Sequence, residues 1–559
     1  MHSSTLRYNL LITLTALLLF VPFLGIVHLF DWDEINFAEC AREMVVTHDY
    51  FSVKINYQPF WEKPPIFIWM QAISMNIFGV NEFAARLPNA ICGVVTLLVL
   101  FNIGRKLYDT QFGLVWIMVY AGSFLPHFYF KSGIIDPWFN LFIFCGIYFL
   151  MLFINYNTRI KKNKIHLHLI ASALFIGLAA LTKGPVAILV IGLCFIVFWI
   201  VRRFSPIISI KQILLYGIAV MLVGGLWFLM LYVTGNSSII TEFFTYQVRL
   251  FNTQDAGHGG PIWYHWAVLL VGCFPMSVFA LDTFKRNQFD TPYQRYFKVW
   301  MIILLFVVLI LFSLVKTKIV HYSSLCYFPL SFLSAYGVYK LMNGEMKWKN
   351  INGILLLFLS LLLGFAISAL PLIEKNKQRI INSGIIEDNF AVENFKAQVH
   401  WTGYEWMIGS ILIIGTIAFL LLMYFKKMKT GLVVIFMCSL IAISTAAVVI
   451  APRIEKYSQN AAIEFYTYLK GKDCYVETIG FKSYAHLFYS NKMPPTNKNY
   501  ANRDWLLKGD IDKPTYFVSK ISWVDDIKEQ YPSLIELYRK NGFVFWKRSP
   551  ATNSKVYSN

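Results

Sequence analysis

Runs of about 18–25 apolar residues recur along this chain, and each is long enough to cross the ~30 Å hydrocarbon core of a bilayer. Inside lipid every backbone N–H and C=O must find a partner within the protein, so runs of this length fold as helices. Composition agrees. Hydrophobic residues make up 57% of the chain and charged residues 14%, whereas a soluble domain is about a quarter charged. The chain reads as a polytopic α-helical membrane protein.

The runs fall at 8–30, 82–104, 112–130, 138–156, 166–182, 185–201, 212–233, 263–282, 299–315, 320–339, 351–371, 405–425 and 430–451, about 13 spans by length. Short loops of one parity carry the basic clusters: Arg105/Lys106, Arg159/Lys161/Lys162/Lys164, Arg202/Arg203/Lys211, Lys285/Arg286/Arg295/Lys298, Lys340/Lys347/Lys349 and Lys426/Lys427/Lys429. By the positive-inside rule that side is cytoplasmic. Loops 31–81, 234–262 and 372–403 and the tail from 452 are then exoplasmic. The net charge of +19 lies in these clusters, with no basic stripe and no nucleic-acid motif. It speaks against nucleic acid as a partner, and contact with anionic headgroups is a secondary reading. Arg7 precedes an apolar run with no small-residue cleavage site, so the first span is expected to be retained. Only Cys40 and Cys474 lie outside apolar runs, and no CxxC or metal-ligand spacing occurs, so no disulfide framework is expected.

Loop 31–81 is too long and aromatic for a connector. Residues 35–47 read as an amphipathic helix and 66–78 as a more apolar one, both lying along the membrane surface. Loop 372–403 is expected to hold another interfacial helix. From 453 the pattern changes: 453–469 looks helical, 474–479 and 515–519 alternate like strands, 524–531 and 534–539 follow, and 543–547 is strand-like. Two domains are expected, a membrane domain 1–451 and a small soluble exoplasmic α/β domain 452–559. Neither carries a nucleotide-binding or metal motif. No internal repeat is seen, which weakens an inverted-repeat transporter reading.

Charged residues beside spans are costly and need a reason. Asp31-Trp32-Asp33-Glu34 follows the first span, and Asp33 can cap a helix starting at Ile35. Glu62-Lys63 precedes Pro64-Pro65, which holds an acid and a base outside regular helix; Lys63 there can serve a phosphate. Asp136 can cap the fourth span, with Pro137 at the first helical position. Lys183-Gly184-Pro185 reads as a turn with a snorkelling lysine. Arg249 can grip a phosphate bidentately. His258, in a glycine-rich turn, is a ligand or acid/base candidate, and His265 is assigned to the aromatic belt. Lys318 lies between spans nine and ten, and His321-Tyr322 enter the tenth. By loop parity all are exoplasmic, which suits a ligand with an anionic head and a greasy tail.

The order of these motifs is diagnostic. Asp33-Glu34, Ala38-Glu39-Cys40-Ala41-Arg42-Glu43-Met44, Glu62-Lys63-Pro64-Pro65 and Phe78-Gly79-Val80-Asn81-Glu82-Phe83-Ala84-Ala85-Arg86-Leu87-Pro88 resemble the aminoarabinose transferase / protein O-mannosyltransferase superfamily. Its members are membrane glycosyltransferases of the GT-C fold. Lys318…His321-Tyr322 also resembles the family. The resemblance implies a polyprenyl-phosphate sugar donor, an exoplasmic acceptor, no nucleotide, and location in the inner membrane with the C-terminal domain on the periplasmic side. It makes Asp33 the first-loop catalytic aspartate, Asp136 the second acid, and Lys63 the donor-phosphate lysine, joined by Arg249 and Lys318. Glu62 is the acid that can face a divalent metal, and Glu34, His321 and Tyr322 are further pocket candidates. In the seventh-span loop the lipid A enzymes have Glu-His ahead of an Arg, where this chain has Tyr246-Gln247 ahead of Arg249; His258 is the candidate substitute. The implied acceptor is a lipid such as lipid A, a protein or an envelope glycan. The rival readings are a transporter or flippase for lipid-linked sugars, a glycan polymerase or ligase, and a receptor acting through its C-terminal domain.

Overall fold

A computed structural model describes residues 2–157, 165–253 and 259–550 of the chain. Among these residues the fold is mostly helical. Seven helices are long and apolar enough to cross a membrane: Glu82–Leu107, Asp136–Asn155, His166–Lys183, Pro292–Leu314, Asn350–Lys375, Trp406–Tyr424 and Met428–Glu455. Two bent pairs raise the number to as many as nine. The protein is a multi-pass membrane protein.

Several expected spans differ in shape. The run 8–30 is helical only through His2–Phe20, because Pro22 removes a donor and crowds the preceding turn. The run 112–130 is Thr110–Ala121 and Phe124–Lys131, bent by 84°. The break is Gly122-Ser123, the kind of pair at which helices kink, and the Ser123 hydroxyl donates to the Val119 carbonyl at 2.7 Å. Ile210–Gly224 and Leu226–Val233 are bent by 51° across Gly224-Gly225. The run 263–282 is two short helices, Tyr264–Gly272 and Met276–Ala280. The run 320–339 begins as the 3-10 helix Val320–Cys326 and continues as Tyr327–Met342. Late spans pack tightly: a Cβ on Gly409 would lie 2.1 Å from the Gly364 carbonyl oxygen, a close approach that small residues permit between apolar helices.

Loop one forms the helix Asp33–Thr47, a short hairpin of Lys54–Ile55 against Gln58–Pro59, and the helix Ile66–Phe78. The helix Asp33–Thr47 is not the half-wet surface helix its pattern suggests. Residues 34 through 44 are all buried, because C-terminal residues cover the side that membrane or solvent was expected to take. The C-terminal strands Tyr475–Ile479, Thr515–Lys520, Phe543–Arg548 and Ile535–Lys540 form one sheet in that order, the first pair parallel and the other two antiparallel. Helices Asn460–Tyr468, Ala485–Tyr489 and Val524–Gln530 accompany it. Phe37, Ala41 and Phe67 of loop one share one apolar cluster with Phe465, Phe488, Val518 and Phe545. The expected helix in 372–403 appears as two short ones, Lys377–Asn382 and Asn389–Phe395. Cys40 and Cys474 are both free thiols.

Burial of this helix traps charge. Arg42 pairs with Glu39 at 2.6 Å, both fully buried. Glu43 accepts from the Tyr57 N–H at 2.8 Å, while its other oxygen has no hydrogen-bond partner. Burial, reinforced by Glu39, pushes the Glu43 carboxyl up to about 9. Its folded value lies above its unfolded value, so the protonated side chain is the form folding favours. The stability it supports is present in acid and is lost as pH climbs from the usual carboxylate range toward 9. A Glu43→Gln chain mimics the neutral acid. Its unfolding midpoint should rise by roughly 2–4 °C at pH 8 and by less at pH 5, read by thermal unfolding in detergent; an equal change at both pH values contradicts the assignment.

Candidate functional site

The site is assembled by a buried pair that holds the ends of three segments together. Arg86, inside the helix Glu82–Leu107, and Glu34 are each 2% exposed. The guanidinium meets the Glu34 carboxylate through two bonds of 2.8 Å. It also donates to the carbonyls of Leu24, Val27 and His28 at 2.7, 2.6 and 2.9 Å. Glu34 accepts from the N–H groups of Phe30 at 2.7 Å and Gly133 at 2.5 Å. The chain leaving the first helix, the start of loop one and the turn before Asp136 are thereby tied to one point. Trp32, directly before Asp33, is held at φ +72°, a conformation that costs a non-glycine residue about 1–3 kcal/mol and persists only where its surroundings over-determine it.

Asp33 opens its helix but does not cap it: Trp32 occupies the cap position with no side-chain bond. The Asp33 carboxylate lies 3.1 Å from His321 Nε2 instead. The same Nε2 lies 3.8 Å from Asp136 Oδ2. Asp136 Oδ1 accepts from Lys183 Nζ at 2.6 Å, so this carboxylate too is turned toward a partner across the site. Lys183 ends the helix Ile165–Lys183. Gly184 follows at φ +97°, where a Cβ would also lie 2.7 Å from the Phe243 ring; only glycine fits both demands. The expected snorkelling lysine is thus an ion-pair partner. His321 is fixed from behind: the Ser324 hydroxyl donates to its carbonyl at 2.5 Å, and Asn140 donates to Ser324 Oγ at 2.8 Å and to the Tyr129 hydroxyl at 2.7 Å. Tyr129 in turn donates to the Asp136 carbonyl at 2.9 Å. Burial would raise the Asp33 carboxyl, but the His321 hydrogen bond and charge, with Lys63 and Lys183 beyond, outweigh it and hold Asp33 well below the usual carboxylate range.

A second group sits beside this one. The helix Ser237–Asn252, in a stretch expected to be loop, carries Tyr246 and Arg249. Lys63 Nζ and the Arg249 guanidinium each lie 5.1 Å from the centre of the Tyr246 ring. The Tyr246 hydroxyl donates to Glu62 Oε2 at 3.2 Å. Lys63 is buried in the turn before Pro64-Pro65, where the double proline delays the next helix to Ile66.

These groups face one cavity of about 550 Å³, lined by Asp33, Glu62, Lys63, Lys183, Arg249 and His321 among others. An apolar annex of about 470 Å³ adjoins it through Phe30, Ser132, Ile134 and His321 and runs along Phe23, Leu24, Leu125, Tyr327 and Ala447. A narrower annex of about 100 Å³ adjoins it through Lys63, Lys183 and Tyr322 and reaches Val186, Phe312 and Leu325.

Of the residues singled out from sequence, Asp33, Asp136, Glu62, Lys63, Arg249, His321 and Tyr322 meet around these spaces. Glu34 touches the cavity wall, but its carboxylate is consumed by Arg86 and backbone amides. Lys318 does not join the cations: its ammonium donates to the carbonyls of Phe312, Ser313 and Val315 at 3.0, 2.7 and 2.6 Å, closing the end of Pro292–Leu314, as basic residues past a helix end commonly do. His265 is fully buried against Ser323 at 3.1 Å, inside the protein and not in an aromatic belt. His258 lies outside the described residues. Lys183 and Tyr246 were legible as charged or aromatic side chains but not as members of the site, and Lys482, which also lines the cavity, carried no signal. Among the described residues no three His, Cys, Asp or Glu side chains are grouped to hold a metal ion. Glu62 is bonded to Tyr246, and Asp33 and Asp136 are matched by His321 and Lys183.

Fold and cavity together define a polytopic helical protein with an acid–imidazole–cation pocket opening onto apolar annexes. The sequence pattern of the family described as dolichyl-phosphate-mannose-protein mannosyltransferase matches residues 62–230. The undecaprenyl phosphate-alpha-4-amino-4-deoxy-L-arabinose arabinosyl transferase of Shewanella sediminis is 27% identical over 361 residues, 64% of this chain and 64% of that protein. Its counterpart from Photorhabdus laumondii is 24% identical over 354 residues, 62% of each. The chain thus spans a little under two thirds of the length of these relatives. The crystal structure of ArnT from Cupriavidus metallidurans bound to undecaprenyl phosphate superposes with a TM-score of 0.75 at 16% identity, covering 98% of this chain and 99% of that one. The apo ArnT structure gives 0.73. The resemblance to the aminoarabinose transferase / protein O-mannosyltransferase superfamily is borne out in sequence and in fold.

Arg86→Ala should leave Glu34 buried without a counter-charge, at a cost of about 3–5 kcal/mol. The yield of folded protein and its melting temperature in detergent should both fall sharply. Unchanged melting would show that the pair does not hold the site together.

Proposed function

We propose that this chain is an inverting glycosyltransferase that moves a sugar from a polyprenyl-phosphate carrier to an exoplasmic acceptor. The observation that carries the reading is the meeting of Asp33, His321, Lys63 and Arg249 around one cavity that continues into apolar space, with Asp136, in the adjoining annex, beside His321. A donor with a phosphate head and an isoprenoid tail matches that combination of charge and grease. The relatives are named for an undecaprenyl phosphate-linked aminoarabinose donor, which makes that donor the first to try. Lipid, protein and glycan acceptors are distinguished by experiment.

In this reading about 13 helical segments, some short or broken, form a membrane domain over 1–451. The soluble α/β domain 452–559 lies on the periplasmic side of the inner membrane with the cavity. Lys63 and Arg249 take the donor phosphate and stabilise the charge that develops as it leaves. Asp33, ionised across the physiological range, orients the acceptor group on the opposite face of the sugar and takes its proton as general base. Asp136 and Lys183 hold His321 in place. One displacement inverts the anomeric centre. No step is routed through a metal or a nucleotide. A flippase would need such charges reachable from both sides, and a polymerase or ligase would lengthen a glycan rather than transfer one sugar.

Proteoliposomes holding the full chain, an undecaprenyl phosphate-linked aminoarabinose and an envelope lipid extract provide the test. Lys63→Ala should lower transfer by about two orders of magnitude or more, and full activity in that variant would remove Lys63 from the donor site. Asp33→Asn should lower kcat by a factor of roughly 10²–10⁴ while undecaprenyl phosphate still binds. Because Asp33 titrates below the ordinary carboxylate range, the acid limb of the rate profile should not fall at the pH of a normal aspartate; a limb near pH 4 that disappears in Asp33→Asn contradicts this. Mass spectrometry of envelope lipids and glycoproteins with and without the gene identifies the acceptor class, and no change in any class argues for transport.

A further inference from the structure

The short segment 28–31 that leads into Asp33 has side-chain partners from the far end of the chain. The Tyr489 hydroxyl accepts from the Leu29 N–H at 2.7 Å. The Gln459 amide bridges two backbone groups, donating to the Leu29 carbonyl at 2.8 Å and accepting from the Asp31 N–H at 3.2 Å. Ser483 donates to Asp31 Oδ1 at 2.9 Å. Glu455 meets His28 Nδ1 at 3.1 Å. Leu29 is fully buried and Tyr489 nearly so, so these backbone groups need protein partners. Arg86 and Glu34 hold the same segment from the membrane side. Between the two sets lies Trp32 in its positive-φ conformation, which fixes where Asp33 begins its helix.

We propose that Gln459 and Tyr489, with Ser483 and Glu455, are positioning residues for Asp33. The C-terminal region completes the catalytic site by clamping the segment that leads into its aspartate. None of the four lines the cavity that holds Asp33, Lys63 and Arg249. Their loss is felt as a misplaced carboxylate, and shifts of about 1 Å in such a group cost up to a hundredfold in rate. The inference rests on the proposed role of Asp33, but the clamp itself can be read without activity.

Gln459→Ala, Tyr489→Phe and the double variant of the full chain are the test. In hydrogen–deuterium exchange, the peptide covering 27–34 should exchange about tenfold faster in the double variant, with the helices Glu82–Leu107 and Pro292–Leu314 unchanged. Unchanged exchange overturns the clamp. In the proteoliposome assay kcat should fall roughly tenfold to a hundredfold while the KM for the lipid-linked donor and the Kd for undecaprenyl phosphate stay within about twofold, and Tyr489→Phe alone should fall less than the double. Faster exchange with wild-type kcat overturns the positioning role. So does a parallel loss of donor affinity and melting temperature, which marks a merely structural contact. If Asp33→Asn is itself fully active while exchange responds as expected, the functional reading fails and the clamp stands.

Discussion

Arg86 and Glu34 form the joint on which the rest of the site depends. Arg86 sits in the second turn of a long apolar helix and is buried, and a buried charge there is tolerated only when it is paired and its donors are filled. Glu34 and the carbonyls of Leu24, Val27 and His28 fill them. Such a pair contributes little net stability compared with an apolar alternative. Its consequence is geometric: the exit of the first helix, the start of loop one and the turn before Asp136 have one arrangement that satisfies it.

The remaining charges follow from that arrangement. With loop one fixed, Asp33 stands over His321; with the 132–135 turn fixed, Asp136 reaches Lys183. Asp33 faces His321 and Asp136 faces Lys183, so both acids of this half-buried cluster have basic partners inside the site. The Tyr246 ring lies 5.1 Å from both Lys63 and Arg249 while its hydroxyl is bonded to Glu62. One aromatic side chain thus links the two cations of the pocket to an acid.

Much of this was legible in the sequence. Hydrophobic runs located the helices because lipid enforces their length, and the prolines at 64, 65 and 137 marked where helices start. The motif series around Asp33, Lys63 and Asp136 identified the acids and bases that meet. What escaped was of two physical kinds. Some local signals were outvoted: Pro22 ends the first helix early, Gly122-Ser123 folds the third span, and Lys318, just beyond Leu314, closes its own helix in place of facing a ligand. Other features depend on contacts that local patterning does not encode. The helix Asp33–Thr47 has an amphipathic pattern, yet it is buried all round because residues from 461 onward cover it. Lys482 and Gln459 look like ordinary surface residues until the chain brings them back to loop one.

The two annexes have a consequence for mutagenesis. They open into the same chamber yet share no lining residue with each other. The two spaces therefore meet the chamber along separate walls, and a substitution in the wall of one leaves the residues of the other untouched.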